Sequence, residues 1–182
     1  VLYAGAHGMS NDLEVLLEAA QELLAIPDIV FYFLGDGKEK PKLIEKANSM
    51  KLVNVKFLPP VSKNEINQSL SAADACVAIL KPVEMYKTTY PNKVFDYMAA
   101  GKPILLAIDG VIRGVVESAG CGVFCQPGDS QKLAEAVRFL YNNQKKAEQM
   151  GLNGRDYLEK NFNRKHIANK LAELIEMLVR NG

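Results

Sequence analysis

The sequence is poor in the residues that staple a chain, cross a membrane or carry a one-sided charge. Cysteine occurs three times in 182 residues, at Cys76, Cys121 and Cys125, each in an apolar or strand-like setting. An odd, scattered set excludes a disulfide framework and reads as buried thiols of a reducing compartment. Cys121 and Cys125 lie four apart with no further Cys or His beside them, so a zinc site is not expected there. Charge of one sign is equally scarce, since 22 Lys and Arg stand against 21 Asp and Glu, a net +1. A surface built to coat nucleic acid is far more basic, and an acidic disordered tail far more acidic. No apolar run approaches the roughly 18 residues of a membrane span. No signal-peptide pattern is legible at Val1-Leu2-Tyr3-Ala4-Gly5. That opening lies inside a strand pattern, and the chain is expected to be one domain excised from a longer protein.

What is present is ordinary globular composition, 48% hydrophobic and 24% charged. Strand and helix patterns alternate. Strands are expected at Val1–Ala4, Ile29–Leu34, Val55–Leu58, Ala75–Leu80, Ile104–Ile108 and Gly122–Cys125. Between them, helices are expected from Asn11 or Asp12 as N-cap to Leu24, at Lys38–Met50, from Ser62 to Ala73, at Asn92–Ala100 and at Gly114–Ala119. Ser62 and Glu65 have the spacing of a capping box. A polar loop runs from Lys81 to Pro91, and three helices close the chain, at Gln131–Tyr141, Lys145–Asn161 and Arg164–Arg180. Near-continuous apolar strands are the mark of a parallel sheet buried on both faces. Right-handed crossovers then give a doubly wound, six-stranded α/β domain with extra C-terminal helices. From residue 131 onward ten Lys and Arg face six Asp and Glu, a basic helical tail able to touch a membrane surface or simply to face water.

In such a sheet ligands bind outside the carboxyl ends of the strands. Those ends carry Gly5-Ala6-His7-Gly8-Met9-Ser10-Asn11, Gly35-Asp36-Gly37, Leu58-Pro59-Pro60-Val61, and the loop with Lys81, Glu84, Lys87, Thr88, Thr89 and Tyr90. The first is a strand-to-helix turn whose free amides can hold an anion, although it lacks the dinucleotide-binding and P-loop glycine patterns. Pro91-Asn92-Lys93 opens a helix and sets a lysine beside free amides. Asp96 follows Asn92 by one turn, so both share a face, and its carboxylate can accept two hydrogen bonds from a diol such as a ribose. The loops hold no Ser-His-Asp set, no Cys-His pair and no His-Glu cluster. The residues therefore support an anion-plus-diol site, for a nucleotide or a sugar phosphate, and do not name a reaction.

The order of several segments does more. Tyr3-Ala4-Gly5 precedes Leu13-Glu14-Val15-Leu16-Leu17-Glu18-Ala19-Ala20, and Phe33-Leu34-Gly35-Asp36-Gly37 precedes Asn54-Val55-Lys56-Phe57-Leu58-Pro59. Then come Pro91-Asn92-Lys93-Val94-Phe95-Asp96-Tyr97-Met98-Ala99-Ala100-Gly101-Lys102-Pro103, Gly122-Val123-Phe124 and Pro127-Gly128-Asp129. Over nearly its whole length the chain resembles the C-terminal, donor-binding domain of the retaining group 1 (family 4) glycosyltransferases of GT-B fold. The resemblance implies a Rossmann-like domain that binds an activated sugar, with the acceptor bound by a separate N-terminal domain that is absent here. It implies two glutamates separated by seven residues, the second replaced here by the shorter carboxylate of Asp96. The second, on the ribose, falls on Asp96. The first position holds Thr88 instead, with Glu84 nearby as a substitute. An Arg and a Lys that bind phosphate in the family are replaced by Ala6 and Asn11, which leaves that task to the Gly5–Asn11 backbone and Lys93. The base is implied near Gly35-Asp36-Gly37 and Leu58–Val61.

The expected function is transfer of a sugar from a nucleoside diphosphate sugar, UDP-sugar favoured, with retained configuration, in polysaccharide or glycoconjugate synthesis. Expected at the reacting end are Glu84 and Thr88. The donor is expected on Asp96, Lys93, Asn92, Gly5, His7, Gly8, Asn11, Gly35, Asp36, Gly37, Leu58, Pro59, Val61 and Thr89. No cofactor, metal or nucleic acid is expected. The partners expected are the donor, the N-terminal acceptor domain and a membrane-associated acceptor, at a cytoplasmic location peripheral to the inner membrane face. Two alternatives stay open: a nucleotide-sugar epimerase of the same fold, for which the loop offers Glu84 and the tail His166, and a non-catalytic nucleotide-binding module.

Overall fold

The structure is a computed structural model that describes residues 1–62 and 64–180, the side chains of residues 164–167 and 170 excepted. Its six strands are β1 (Leu2–Ala4), β2 (Phe31–Leu34), β3 (Val55–Leu58), β4 (Cys76–Ile79), β5 (Ile104–Ala107) and β6 (Gly122–Phe124). They form one sheet in the order β3-β2-β1-β4-β5-β6, and every pairing is parallel. The helices are α1 (Leu13–Gln21), α2 (Lys40–Ser49), α3 (Ile66–Ser71), α4 (Asn92–Ala99), α5 (Val111–Ala119), α6 (Ser130–Asn142), α7 (Gln144–Asn161) and α8 (Arg164–Arg180).

Strand period 2 sends alternate side chains to opposite faces, which makes two cores. Tyr3, Phe31, Phe33, Val77, Ile79, Leu105 and Ala107 face α1, α2 and α6. Leu2, Ala4, Leu34, Cys76, Ala78, Ile104 and Leu106 face α3, α4 and α5. Both faces of β4 and β5 are fully buried, which explains their unbroken apolar runs. All three cysteines are buried free thiols, and burial raises their pKa to about 12 for Cys76 and Cys125 and about 11 for Cys121.

Local differences from the sequence pattern have local causes. The strand expected from Ile29 begins at Phe31, because Ile29 closes a turn on Ile26. The helix expected from Ser62 begins at Ile66, Lys63 lying outside the described residues. One half of the capping box survives, with the Ser62 amide donating to the Glu65 carboxylate at 2.9 Å. The loop after β4 carries a 3-10 turn at Glu84–Thr88. The helix expected from Gly114 starts three residues earlier, at Val111, with Gly110 as its N-cap at a φ of +101°. Asp12 is the N-cap of α1 but makes no side-chain cap bond.

Helix α7 returns across the bottom of α4. It comes so close at Gly151 that a methyl group there would overlap the backbone carbonyl of Gly101. In α8 every described side chain is exposed, among them Leu171, Leu174, Ile175 and Leu178 at helical spacing. Among the described residues no helix is long and apolar enough to cross a membrane.

Gly151 and Gly114 lie inside helices, where alanine is ordinarily favoured by about 1 kcal/mol. Gly114 has open space around it, so Gly114→Ala raises the melting temperature by about 2–4 °C. Gly151→Ala forces α7 off the Gly101 turn at a cost of about 1–3 kcal/mol and lowers it. Thermal melts of the two variants should move in opposite directions; equal shifts would show that the α7 contact is loose.

Candidate functional site

The strand order reverses direction between β1 and β4, the place where doubly wound sheets open a crevice. The loop Gly5–Asp12 after β1 sits at that point and is held from three sides. On the β2 side the Gly5 amide donates to Leu34 O at 3.0 Å, the His7 amide to Asp36 O at 2.8 Å, and the Glu39 amide to His7 O at 3.0 Å. On the β4 side the Lys81 amide donates to Ser10 O at 2.9 Å. From below, Tyr3 Oη and Asn11 Nδ2 both donate to Ala6 O, at 2.7 and 3.0 Å. Gly35 must be glycine for this to happen. Its φ is +135°, and a side chain would collide with the Gly5 carbonyl.

Lys93, from the first turn of α4, reaches under this loop. Its Nζ donates to Tyr3 Oη at 3.1 Å and to Asn11 Oδ1 at 3.5 Å, and it lies 4.3 Å from the centroid of the Tyr3 ring. Among the described residues no carboxylate is within ion-pairing distance of it. Burial without a counter-ion lowers the Lys93 pKa to about 8. A partly buried ammonium beside a glycine-rich turn and the start of a helix attracts an anion. Asp96, one turn further along α4, is exposed, as is Asn92. Asp96 thus follows Lys93 by three residues along α4, and Lys93 joins the start of that helix to the loop after β1.

The other sequence candidates fall as follows. His7, expected on the donor, has its side chain in the core. It is fully buried among Tyr3, Phe33 and Phe57, with ring centroids 5.9–6.2 Å away, and among the described residues neither ring nitrogen has a partner. Burial first, then the Lys40 ammonium, lower its pKa to about 4, so it is neutral at pH 7. Gly8 and Asn11 shape the loop, the Asn11 amide donating to Gly8 O at 3.1 Å. Asp36 is turned onto the Gly37 amide at 2.8 Å. Leu58, Pro59 and Val61 line the end of β3, with Val61 37% exposed.

Glu84 and Thr88 occupy the 3-10 turn on the β4 side. Glu84 pairs with Lys87 at 2.8 Å and is exposed, Thr88 Oγ1 donates to Met85 O at 3.2 Å, and Thr89 Oγ1 donates to Tyr86 O at 2.7 Å. The side chain of His166 lies outside the described residues. Among the described residues no three of His, Cys, Asp and Glu converge as a metal site would require.

Two residues escaped the sequence reading. Tyr3 reads as a core strand residue, yet its hydroxyl joins Ala6 to Lys93; a buried tyrosine needs such a partner, which was the available signal. Lys40 belongs to a lysine-rich helix start. Its Nζ donates to Gly35 O at 2.6 Å and Leu58 O at 2.8 Å, bridging the ends of β2 and β3.

The sequence and the fold have parallels among known proteins. Residues 1–157 match the family described as glycosyl transferases, group 1. The D-inositol 3-phosphate glycosyltransferase of Nocardioides sp. is 28% identical over 160 residues, 79% of this chain and 34% of that protein. The O-antigen chain mannosyltransferase C of Escherichia coli is 23% identical over 181 residues, 98% of this chain and 46% of that protein. The chain thus spans between a third and a half of these relatives. The crystal structure of Anabaena Alr3699/HepE in complex with UDP-glucose shares the fold, with a TM-score of 0.83 at 21% identity, over 97% of this chain and 48% of that one. Match, fold and crevice agree, and the chain belongs to the group 1 glycosyltransferases.

Proposed function

We propose that this chain is the donor-binding half of a retaining glycosyltransferase that uses a nucleoside diphosphate sugar, with UDP-sugar favoured. The observation that carries the reading is Lys93, a partly buried ammonium under a glycine-rich turn with no described carboxylate to neutralise it. Such a cation is costly unless an anionic ligand completes it. Lys93 and the loop amides other than those of Gly5, His7 and Asn11, which are bonded within the fold, hold the diphosphate and stabilise it as it leaves, as preorganised donors do for developing charge. Asp96 accepts from the ribose hydroxyls. Glu84, Thr88 and Thr89 lie on the β4 side, where the transferred sugar would sit. The family's first acidic position holds Thr88, so a carboxylate at the reacting end has to come from Glu84 or from the acceptor half.

Support for UDP comes from Alr3699/HepE, whose structures hold UDP and UDP-glucose. The acceptor half is proposed to be a separate N-terminal domain, consistent with neighbours about twice this length. The uncovered apolar face of α8 fits a chain that packs against more protein than is present. Polysaccharide or glycoconjugate synthesis, a membrane-associated acceptor and a cytoplasmic position at the inner membrane face complete the proposal. They rest on the relatives' names and on the basic helical tail.

Calorimetric titration with UDP, GDP, ADP and CDP tests the reading, at millimolar ligand because half a cleft binds at only about −4 kcal/mol. UDP should bind preferentially, and EDTA should not change the result. A folded domain that binds none of the four overturns the proposal. Asp96→Ala should weaken UDP by about 1.5–3 kcal/mol, tenfold or more; unchanged affinity removes the ribose role.

The pH profile follows from Lys93, whose pKa is held at about 8 rather than the ordinary 10.5. Below pH 8 the ammonium is charged and UDP affinity should be flat. Above it the charge is lost and affinity should fall up to about tenfold per pH unit. The unliganded fold should behave oppositely. Its penalty for the buried charge is full below pH 8 and is relieved as pH rises from about 8 to 10.5. Lys93→Arg, charged throughout, should flatten the binding profile; a slope that persists in this variant assigns the titration elsewhere.

A further inference from the structure

We infer that Tyr97 is a positioning residue of the donor site. Its hydroxyl stands in for a ladder bond between β1 and β4, and so fixes both the seam beneath the β1 loop and the seat of α4, which carries Lys93. The inference rests on the donor-site reading above.

The sheet is interrupted at one seam. Among the described residues β1 pairs with β4 at Leu2 and Cys76 and no further, the Leu2 amide donating to Ala75 O at 2.8 Å. The neighbouring seams run on, β1 with β2 from Leu2 to Ala4 and β4 with β5 from Cys76 to Ile79. In a parallel ladder the next bond would go from the Ala4 amide to Val77 O, with Ala4 opposite Ala78. Instead the Ala4 amide donates to Tyr97 Oη at 3.3 Å. The one proton of that hydroxyl lies within reach of Val77 O at 3.2 Å and Ala4 O at 3.3 Å. Buried backbone groups need partners, and a hydroxyl accepts and donates at a single atom, so it can satisfy an N–H of one strand and a C=O of the next. Tyr97 is 1% exposed. Burial holds its pKa well above the ordinary tyrosine value, so the hydroxyl keeps its proton.

The place of this bridge gives it a role beyond satisfying two strands. The seam is the one at which the strand order reverses, and Ala4 leads directly into the loop after β1. Tyr97 follows Lys93 by four residues, so the two side chains leave the same face of α4. Tyr97 ends on Ala4, while Lys93 ends on Tyr3 Oη and Asn11 Oδ1. One helix face thus holds the last strand residue before the loop and the ammonium beneath it. Without the hydroxyl, the Ala4 N–H and Val77 C=O are left buried and facing one another. They regain a bond by meeting, which closes the seam, draws the loop toward β4 and presses α4 away from the sheet. Lys93 then loses its fixed place. Phenylalanine fills the volume of the ring and cannot make the bridge.

The test is a titration of the whole chain with UDP between about pH 6.5 and 10, for wild type, Tyr97→Phe and Val137→Ala, each also melted without ligand. Val137 is buried in α6 on the opposite face of the sheet and serves as a destabilised control. Both variants should melt below wild type. Tyr97→Phe alone should lose UDP affinity, by about tenfold at neutral pH. In it alone the pH at which affinity begins to fall should move up from about 8, because a lysine no longer held under the loop is hydrated. A Tyr97→Phe protein that melts lower yet keeps the wild-type affinity and pH profile overturns the inference, since the hydroxyl then serves stability alone. An equal loss in Val137→Ala also overturns it, because affinity would then follow stability. Should Tyr97→Phe not fold, amide exchange in wild type decides. Coupling is reciprocal, so a bridge that favours the donor is favoured by it, and UDP should slow exchange at Ala4 about tenfold more than at Leu105 of β5. Equal slowing at the two overturns the inference. Wild type that binds UDP while either of these tests fails leaves the donor site standing, and wild type that binds no UDP removes both.

Discussion

Lys93, an ammonium with no carboxylate partner among the described residues, organises the loop after β1. Lys93 has three hydrogen-bond donors but meets only a tyrosine hydroxyl, an amide oxygen and an aromatic face. Each partner is itself fixed by the loop above it, because Tyr3 and Asn11 both donate to Ala6 O. The ammonium cannot leave this place without exposing the Tyr3 hydroxyl, and the loop cannot shift without loosening the ammonium. Position of charge and shape of the turn are therefore one constraint.

The rest of the fold serves that constraint at a distance. Parallel order β3-β2-β1-β4-β5-β6 brings the loops after β1 and β4 together at the reversal. Backbone bonds from Gly5 and His7 to the β2 loop, and from Lys81 to Ser10, then fix the turn from both sides. The α1–α2 layer is stiffened by Lys42 and Lys46 on Glu14, whose pKa those lysines pull down to about 2. Such exposed pairs add little energy, so their value is in aligning two helices whose starts carry the β1 and β2 loops. On the other face α7 clamps α4 through Gly151, and α4 carries Lys93 and Asp96.

Much of this was legible in the sequence, for identifiable reasons. Buried parallel strands write themselves as apolar runs, so β3 was placed to the residue and β4 and β5 to within one. Pro91 at a helix entrance with Lys93 and Asp96 at fixed offsets is local information, and a local pattern suffices to read it. Tyr3 and Lys40 were illegible because their roles are tertiary. Tyr3 lies ninety residues from Lys93 and Lys40 eighteen from Leu58, and neither pairing has a periodic signature. His7 was visible as a residue but not as a state. Nothing in Gly5-Ala6-His7-Gly8 tells that the ring turns inward among Phe33 and Phe57 and loses both its partners. The early start of α5 was missed because its N-cap, Gly110, takes a positive φ that the sequence only permits.

The departures from the family pattern are better understood as one relocation than as separate losses. Where the family sets cationic side chains on the β1 loop, this chain has Ala6 and Asn11. The structure puts a cation in the same neighbourhood from the other direction, by sending Lys93 up from α4 onto Asn11 itself. A lysine on the loop would be solvated and mobile. A lysine threaded beneath it is desolvated and directed, at the cost of a pKa near 8 and of native-state stability. A negative ligand reverses that cost, since its charge favours the protonated amine. A desolvated ammonium without a carboxylate partner among the described residues is a local violation of the rule that buried charges are paired, and under the donor-site proposal an anionic ligand would relieve it. Such violations mark the places where a fold gives up stability for function.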